Sequence, residues 1–207
     1  EDLSRGLGDV YKRQDEYHVI SLKTKEQLQK LTNKKITSIP FWINQKNFFY
    51  IENKEKIRKS FGFNSSDYLI GSFQRDTESS DLKSPKLIKG PDIFLELVIK
   101  LNKETENLCV LLAGKNRNYL IKNLEKNNIK FRYFEMTDLK TINQLYNILD
   151  LYIVSSRIEG GPQAILEASY TRTPIVSSDV GVASEILSDE SIFDIDELNK
   201  PIPNVEY

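Results

Sequence analysis

Residues 151–168 read LYIVSSRIEGGPQAILEA and carry the clearest structural signal in this chain. The stretch opens with an apolar run, 151–155, passes through two glycines and a proline, and continues with apolar residues at helical spacing. A short apolar run without polar alternation is typical of a strand that is buried on both faces. Glycine and proline at its end allow a sharp turn into a helix. The stretch therefore predicts a buried strand that leads directly into a helix, with Pro162 at the first helical position.

The same pattern repeats on both sides of this stretch. Apolar runs predict four further strands, at 68–73, 108–113, 131–134 and 174–178. Apolar residues at helical spacing predict helices between them, at 91–101, 117–127 and 142–149. This alternation indicates an α/β fold with a Rossmann-like parallel sheet and helices on both faces. Ligands of such sheets bind outside the carboxyl ends of the strands, where the strand order reverses.

The sheet domain is predicted to span 68–193. Residues 15–44 are expected to contain a helix and a strand, with Trp42 buried where this piece meets the rest of the protein. Residues 45–67 are predicted to be a linker with a charged surface helix. The last residues, 194–207, have little pattern and are expected to form an irregular, truncated tail.

The first 14 residues are excluded from the fold prediction. Residues 9–14 read DVYKRQ, which resembles the translated end of a sequencing adapter. We therefore expect residues 1–14 to be artefactual or disordered.

Composition excludes several classes of function. The 207 residues carry 29 basic and 30 acidic side chains, and this balance argues against nucleic acid as a partner. No apolar run approaches the ~20 residues of a membrane span. A single Cys109 excludes a disulfide framework, and with His18 as the only histidine we expect no metal site. One cysteine and no signal peptide favour a cytoplasmic location.

Two carboxylates flank the start of the predicted helix. Glu159 precedes the turn formed by Gly160 and Gly161, and Glu167 lies about a turn and a half inside the helix. Free amides and the positive end of a helix dipole favour a phosphate, while carboxylates accept hydrogen bonds from sugar hydroxyls. The pattern fits a nucleotide-sugar site, and a tight turn with two surface acids is the alternative.

Basic residues follow the first predicted strand. Arg75 and Lys89 lie on the loop that leaves its carboxyl end, where they could neutralise a diphosphate. Because the chain has 29 basic residues, each of them taken singly could equally be an ordinary surface charge.

Together these motifs resemble the C-terminal, donor-binding domain of a GT-B glycosyltransferase of the large retaining family 4 type. The resemblance covers residues 71–187 and the motifs occur in the family's order: Arg75, Lys89-Gly90, the turn 113–115, the Glu-x7-Glu pair Glu159 and Glu167, and the segment 173–186. The family's common Glu-Gly-Phe-Gly turn is replaced here by residues 159–162, EGGP, so sugar selectivity cannot be carried over.

The resemblance implies a role for each site residue. The implied catalytic residues are Arg75 and Lys89, which would hold the donor diphosphate, and Glu159, which would face the transferred sugar. The implied donor-binding residues are Glu167 at the ribose, Gly160 and Gly161 at the distal phosphate or sugar, Gly114 in the turn after the second strand, and Glu135 and Met136 near the base. The implied reaction is sugar transfer from a nucleotide-sugar donor to a carbohydrate or lipid-linked acceptor, with retention and without a cofactor, in polysaccharide or cell-envelope biosynthesis.

Proteins of this type carry the acceptor on a separate N-terminal domain, of which 15–44 resemble only the last helix and strand. We therefore expect a fragment that binds donor but does not turn over alone, with peripheral membrane association through the missing domain. Two alternatives stay open: a non-catalytic nucleotide-sugar-binding module, and a GT-B nucleotide-sugar epimerase, whose acid–base residues are not found here.

Overall fold

The computed structural model describes residues 15–198. The adapter-like segment 1–14 and most of the predicted tail lie outside the described residues. The helices and strands in chain order are β1 Glu16–Val19, α1 Leu22–Gln29, β2 Lys35–Ser38, α2 Lys54–Ser60, β3 Tyr68–Ser72, α3 Pro91–Glu104, β4 Leu108–Ala113, α4 Asn118–Lys126, β5 Phe131–Phe134, α5 Leu139–Ile148, β6 Leu151–Val154, α6 Gln163–Tyr170, β7 Ile175–Ser178, α7 Ala183–Ile186 and β8 Ile192–Phe193. Short 3₁₀ turns occupy Leu87–Lys89 and Asp189–Ser191.

Six strands form one parallel sheet in the order β5-β4-β3-β6-β7-β8. The α/β prediction is confirmed, and the five predicted strands begin and end within one residue of the observed bounds. The sixth strand, β8, was missed because two residues are too short to show a pattern. From β3 the chain places β4 and β5 on one side, and it then returns to place β6, β7 and β8 on the other side. The strand order therefore reverses between β3 and β6. This reversal is where a ligand crevice is expected.

The sheet is buried on both faces, which explains its continuous apolar strands. Successive side chains alternate between the faces. One face packs on α2, α5 and α6 through a cluster that includes Leu69, Leu111 and Tyr152. The other packs on α3 and α4 through a cluster that includes Ile70 and Val110.

The N-terminal piece forms a separate two-stranded parallel sheet, β1 with β2, connected through α1. Its strand β1 was missed because EYHV mixes polar and apolar residues. The prediction that Trp42 is buried is wrong: its side chain is 80% exposed. The start of α1 instead contacts α7 and the loop before it: the amide of Leu22 donates to Glu185 on α7 at 2.7 Å, and Lys23 pairs with Asp179 in the loop at 2.7 Å.

Helix α2 was predicted to be a charged surface helix, and this needs a correction. Two of its residues, Ile57 and Arg58, are buried. The guanidinium of Arg58 donates to the carbonyl of Ile148 at 2.7 Å and to the carboxylate of Asp150 at 2.6 Å. Arg58 therefore anchors α2 to the sheet domain. Because most residues of α2 are charged, the sequence does not distinguish this buried arginine from its exposed neighbours. Within residues 15–198 we find no helix that combines the length and apolar character needed to cross a bilayer.

The close contact between β3 and β6 depends on Gly71. A Cβ there would lie 3.0 Å from Cδ2 of Tyr152 and would overlap the side chain of Leu149. We expect Gly71→Ala to lower the free energy of unfolding by about 1–3 kcal/mol, because a packed core has no room for the methyl group. Urea denaturation of the chain measures this. The double variant Gly71→Ala/Leu149→Val should lose less than the sum of the single variants, and strictly additive losses would contradict the packing explanation.

Candidate functional site

The predicted site residues gather at one edge of the sheet. Because the strands are parallel, the residues that follow them lie at the same edge: Glu135 and Met136 after β5, Gly114 after β4, Arg75 after β3, and Glu159, Gly160 and Gly161 after β6. From β5 to β6 there are three strand spacings of about 4.8 Å, or roughly 14 Å. The edge is therefore long enough for an extended ligand to contact all four loops.

Lys89 and Glu159 meet at the point where the strand order reverses. Their ammonium and carboxylate groups form an ion pair across 70 residues of sequence. The hydroxyl of Ser156 lies 3.0 Å from Oε1 of the same carboxylate. The side-chain amide of Gln74 donates to the carbonyl of Lys89 at 2.9 Å. The structure thus brings together one predicted cation and one predicted anion, and adds two polar neighbours.

The turn that carries Lys89 is fixed by the loop after β6. Gly90 has left-handed backbone angles, φ 59° and ψ 42°, and a Cβ there would overlap the carbonyl of Ser155. The hydroxyl of Ser155 donates to the carbonyl of Gly90 at 2.8 Å. Arg157 binds both carboxylate oxygens of Asp92, at 2.8 and 2.6 Å, and its hydrogen bonds lower the pKa of Asp92. Arg157 lies two residues before Glu159, and its type and position gave no sign of this pairing in the sequence.

Arg75 lies at the predicted edge and has no carboxylate partner within the described part of the chain. Its side chain is exposed, and Nη1 lies 3.4 Å from the hydroxyl of Ser79. The contact between Arg75 and a diphosphate therefore stays a prediction.

Below this loop lies a buried ion pair that the sequence analysis missed. Arg117 is completely buried, and its Nε donates to Oδ2 of Asp76 at 2.7 Å. Its Nη2 donates to the hydroxyl of Ser72 at 3.0 Å, and Nη1 donates to the carbonyl of Ala113 at 3.1 Å. Burial raises the pKa of Asp76, and the neighbouring Arg117 opposes that rise. The pair fixes the start of the loop that carries Arg75.

Glu167 is half-buried on α6, where its Oε2 accepts a hydrogen bond from the hydroxyl of Tyr146 at 2.8 Å. Burial raises the pKa of Glu167, and the hydrogen bond from Tyr146 works in the opposite direction. The two glutamates of the motif therefore have different partners: Glu159 faces a cation and Glu167 faces a buried phenol.

The glycine turn differs in two respects from the prediction. Helix α6 begins at Gln163, so Pro162 precedes the helix, with φ −65° and ψ 113°. The glycines are also closely packed by the protein itself: a Cβ on Gly161 would lie 2.9 Å from Cδ1 of Ile20, and one on Gly181 would lie 2.7 Å from the carbonyl oxygen of Gly160. The backbone contact accounts for glycine at Gly181, where φ is 53°. At Gly160 and Gly161 the neighbour is the end of the Ile20 side chain, and the contact of their amides with a phosphate stays a prediction.

Two features complete the edge. At the β5 and β4 ends, Glu135 and Met136 are exposed and Gly114 has a left-handed φ of 90°. At the ends of β6, β7 and β8 a cavity of about 400 Å³ opens, with Ser156 and Arg157 in its lining. Because Ser156 also contacts Glu159, this cavity adjoins the ion pair on the side away from β5. Among residues 15–198 no group of three His, Cys, Asp or Glu side chains is arranged to hold a metal ion.

Comparison with known proteins identifies relatives of this edge and its sheet. The family described as "Glycosyl transferases group 1" matches residues 53–196. The chain is 26% identical over 159 residues to the lipopolysaccharide core biosynthesis mannosyltransferase LpsB of Rhizobium meliloti (strain 1021). The matched region covers 73% of this chain and 43% of LpsB.

Two solved structures show the same fold at low identity. Sucrose-phosphate synthase from Thermosynechococcus elongatus matches with a TM-score of 0.73 and 15% identity, over 89% of this chain and 46% of that chain. HepE of Anabaena, in complex with UDP and glucose, matches with a TM-score of 0.70 and 15% identity, over 87% of this chain and 49% of that chain. These neighbours are GT-B glycosyltransferases, which confirms the predicted fold class. The chain spans less than half the length of each of these three proteins.

Removal of Arg117 tests the ion pair below the site. We expect Arg117→Leu to lower the free energy of unfolding by about 3–5 kcal/mol at neutral pH, because Asp76 is left as a buried, unpaired charge. Without the guanidinium the folded-state pKa of Asp76 rises further above its unfolded value. The loss should therefore shrink as the pH is lowered towards 4 and the carboxyl takes up a proton.

Urea denaturation at both pH values measures the effect. The double variant Asp76→Leu/Arg117→Leu should recover part of the stability, because no buried charge remains. Lys35→Gln, which breaks the exposed pair with Glu16, serves as the control and should leave the midpoint nearly unchanged. A double variant that is less stable than Arg117→Leu would contradict this account.

Proposed function

Because the chain belongs to the group 1 glycosyl transferase family, we propose that it forms the donor-binding part of an enzyme that transfers a sugar from a nucleotide-sugar donor to an acceptor. One observation carries the proposal: Lys89 and Glu159 are paired at the point where the strand order reverses. A cation for a diphosphate and a carboxylate for a sugar are thereby adjacent, at the place where parallel sheets bind ligands.

The proposed donor lies across the sheet edge from β5 to β6. The base is next to Glu135 and Met136, and the diphosphate lies between Arg75 and Lys89. The transferred sugar lies next to Glu159, at the mouth of the cavity that adjoins it.

The chemistry follows from charge. As the bond between the sugar and the diphosphate breaks, its electron pair moves to the leaving oxygen, and negative charge grows on the diphosphate. Lys89 and Arg75 meet that charge without needing to rearrange during the reaction. In the structure Lys89 is neutralised by Glu159, so a bound diphosphate would replace the carboxylate as its partner. Glu159 would then be released to face the sugar.

The finer features of the reaction belong to the same proposal. We propose transfer with retention of the anomeric configuration, as in family 4, without a metal ion, to a carbohydrate or lipid-linked acceptor of polysaccharide or cell-envelope biosynthesis. The role of LpsB in lipopolysaccharide core biosynthesis supports that acceptor class. The single, buried Cys109 supports a cytoplasmic site of action.

Binding to the chain itself tests the diphosphate contact. UDP, GDP and ADP are each titrated by calorimetry against the chain and two variants. Lys89→Gln should raise the Kd of the tightest binder about 10- to 100-fold, since a charge-assisted hydrogen bond contributes ~1.5–3 kcal/mol. Glu159→Gln should not weaken binding, because it removes the anion that competes for Lys89. The nucleoside without phosphate, titrated by NMR, provides the control. An equal loss for nucleoside and diphosphate would refute the assignment.

Turnover is measured on the whole protein that the gene encodes. In that protein, Arg75→Ala and Lys89→Ala should each lower kcat/KM about 100-fold, the usual cost of removing one electrostatic contact to a developing charge. Steady-state kinetics with a nucleotide sugar measures this. Unchanged rates in both variants would remove Arg75 and Lys89 from the mechanism.

The same complete protein separates the competing functions. Incubation with nucleotide sugar and acceptor should give a glycosylated product whose anomeric configuration, read by NMR, matches that of the donor. An epimerised nucleotide sugar would indicate the epimerase, and binding without any reaction would indicate the non-catalytic module.

A further inference from the structure

Tyr146 is a buried residue at the site to which the proposed reaction gives no role. It lies on α5 and is 1% exposed. Its ring packs against three aromatic neighbours, with centroid distances of 4.9 Å to Phe73, 5.1 Å to Tyr152 and 6.1 Å to Phe48. Its backbone carbonyl accepts a hydrogen bond from the hydroxyl of Thr173 at 2.8 Å. The position of the phenol is therefore fixed by packing around the whole ring.

The hydroxyl of Tyr146 uses its single proton on Glu167. The two oxygens are 2.8 Å apart, and the bond joins α5 to α6 across 21 residues. Because Oε2 is held in this way, Oε1 is the oxygen that stays available to another donor. A carboxylate on an exposed helix would instead rotate freely between several orientations.

We propose that Tyr146 is a positioning residue, whose hydroxyl orients the carboxylate of Glu167 towards the donor ribose. This inference rests on the ribose role that the proposed function gives to Glu167. Ribose hydroxyls donate to an ionised carboxylate more strongly than to a neutral carboxylic acid. Both orientation and ionisation therefore increase the affinity for the nucleotide.

The surroundings of Glu167 show why the phenol is needed. Burial disfavours the charged form of the carboxyl and raises its pKa, and the Tyr146 hydroxyl is the group that opposes this. Among residues 15–198, no lysine or arginine nitrogen lies within 4.0 Å of Glu167. The titratable groups that face it are Tyr146 from α5 and Tyr152 from β6, and β7 contributes only Ile, Val and Ser side chains.

The same cluster joins Glu167 to the loop that carries the diphosphate cation. The hydroxyl of Tyr152 accepts a hydrogen bond from the amide of Phe73 at 3.2 Å, and Phe73 packs on Tyr146. Phe73 directly precedes Gln74, which bonds to the carbonyl of Lys89. The ribose carboxylate and the diphosphate lysine are therefore fixed by one continuous set of contacts.

The test is a double-mutant cycle on nucleotide affinity. UDP, GDP and ADP are titrated by calorimetry from pH 5 to 8 against Tyr146→Phe, Glu167→Gln and the double variant. Tyr146→Phe keeps the ring and should raise the Kd roughly tenfold at neutral pH. It should also move the fall in affinity on acidification to higher pH, because the pKa of Glu167 rises when the hydroxyl is lost. In the Glu167→Gln background, Tyr146→Phe should cause no further loss.

The matched control is Tyr68→Phe, at the opposite end of β3, which removes a half-buried phenol hydroxyl far from the carboxyl edge. It should change neither affinity nor pH profile. If Tyr146→Phe leaves affinity and pH profile unchanged while Glu167→Gln weakens binding, the positioning role is wrong and the proposed function stands. An equal loss from Tyr146→Phe in both backgrounds would show a merely structural effect and overturns the inference. If Glu167→Gln has no effect, the ribose assignment itself fails, and the positioning role fails with it.

Discussion

The reversal of strand order between β3 and β6 is the constraint on which the site depends. In a parallel sheet every strand ends at the same edge, and at the reversal the helices that follow two adjacent strands leave on opposite faces. The crevice between their loops brings Lys89 to Glu159 although 70 residues separate them. Burial of the sheet on both faces fixes this geometry, because no strand can shift without exposing one of two apolar clusters.

Two ion pairs lie near this edge of the sheet, one below the other. The lower layer is the pair of Arg117 with Asp76, in which both side chains are buried. The upper layer is the pair of Lys89 with Glu159, which is part-exposed and can exchange its partners for those of a ligand. This arrangement suits a donor site. The buried pair of Arg117 and Asp76 fixes the loop that carries Arg75, while Lys89 and Glu159 stay accessible to a ligand.

Several elements could be predicted from the sequence because their signals are local. The strand 108–113 was predicted at its observed bounds because its apolar run is continuous. The strand 131–134 was also predicted at its observed bounds, from three aromatic residues around Arg132. The strand–glycine–helix unit placed Glu159 and Glu167 on the correct elements. Other features gave no such signal. Strand β8 has two residues, α2 looks uniformly charged, and Arg117 resembles any surface arginine until its partner 41 residues away is known.

The sequence by itself determined the α/β class and placed the candidate site residues at the ends of the strands, at one edge of the sheet. These follow from periodicity and turn chemistry, which act over a few neighbouring residues. Only the tertiary structure decided which residues are partners: Lys89 with Glu159, Asp76 with Arg117, and Tyr146 with Glu167. Such pairs depend on strand order and helix packing, which bring distant segments together and leave no mark on the local pattern.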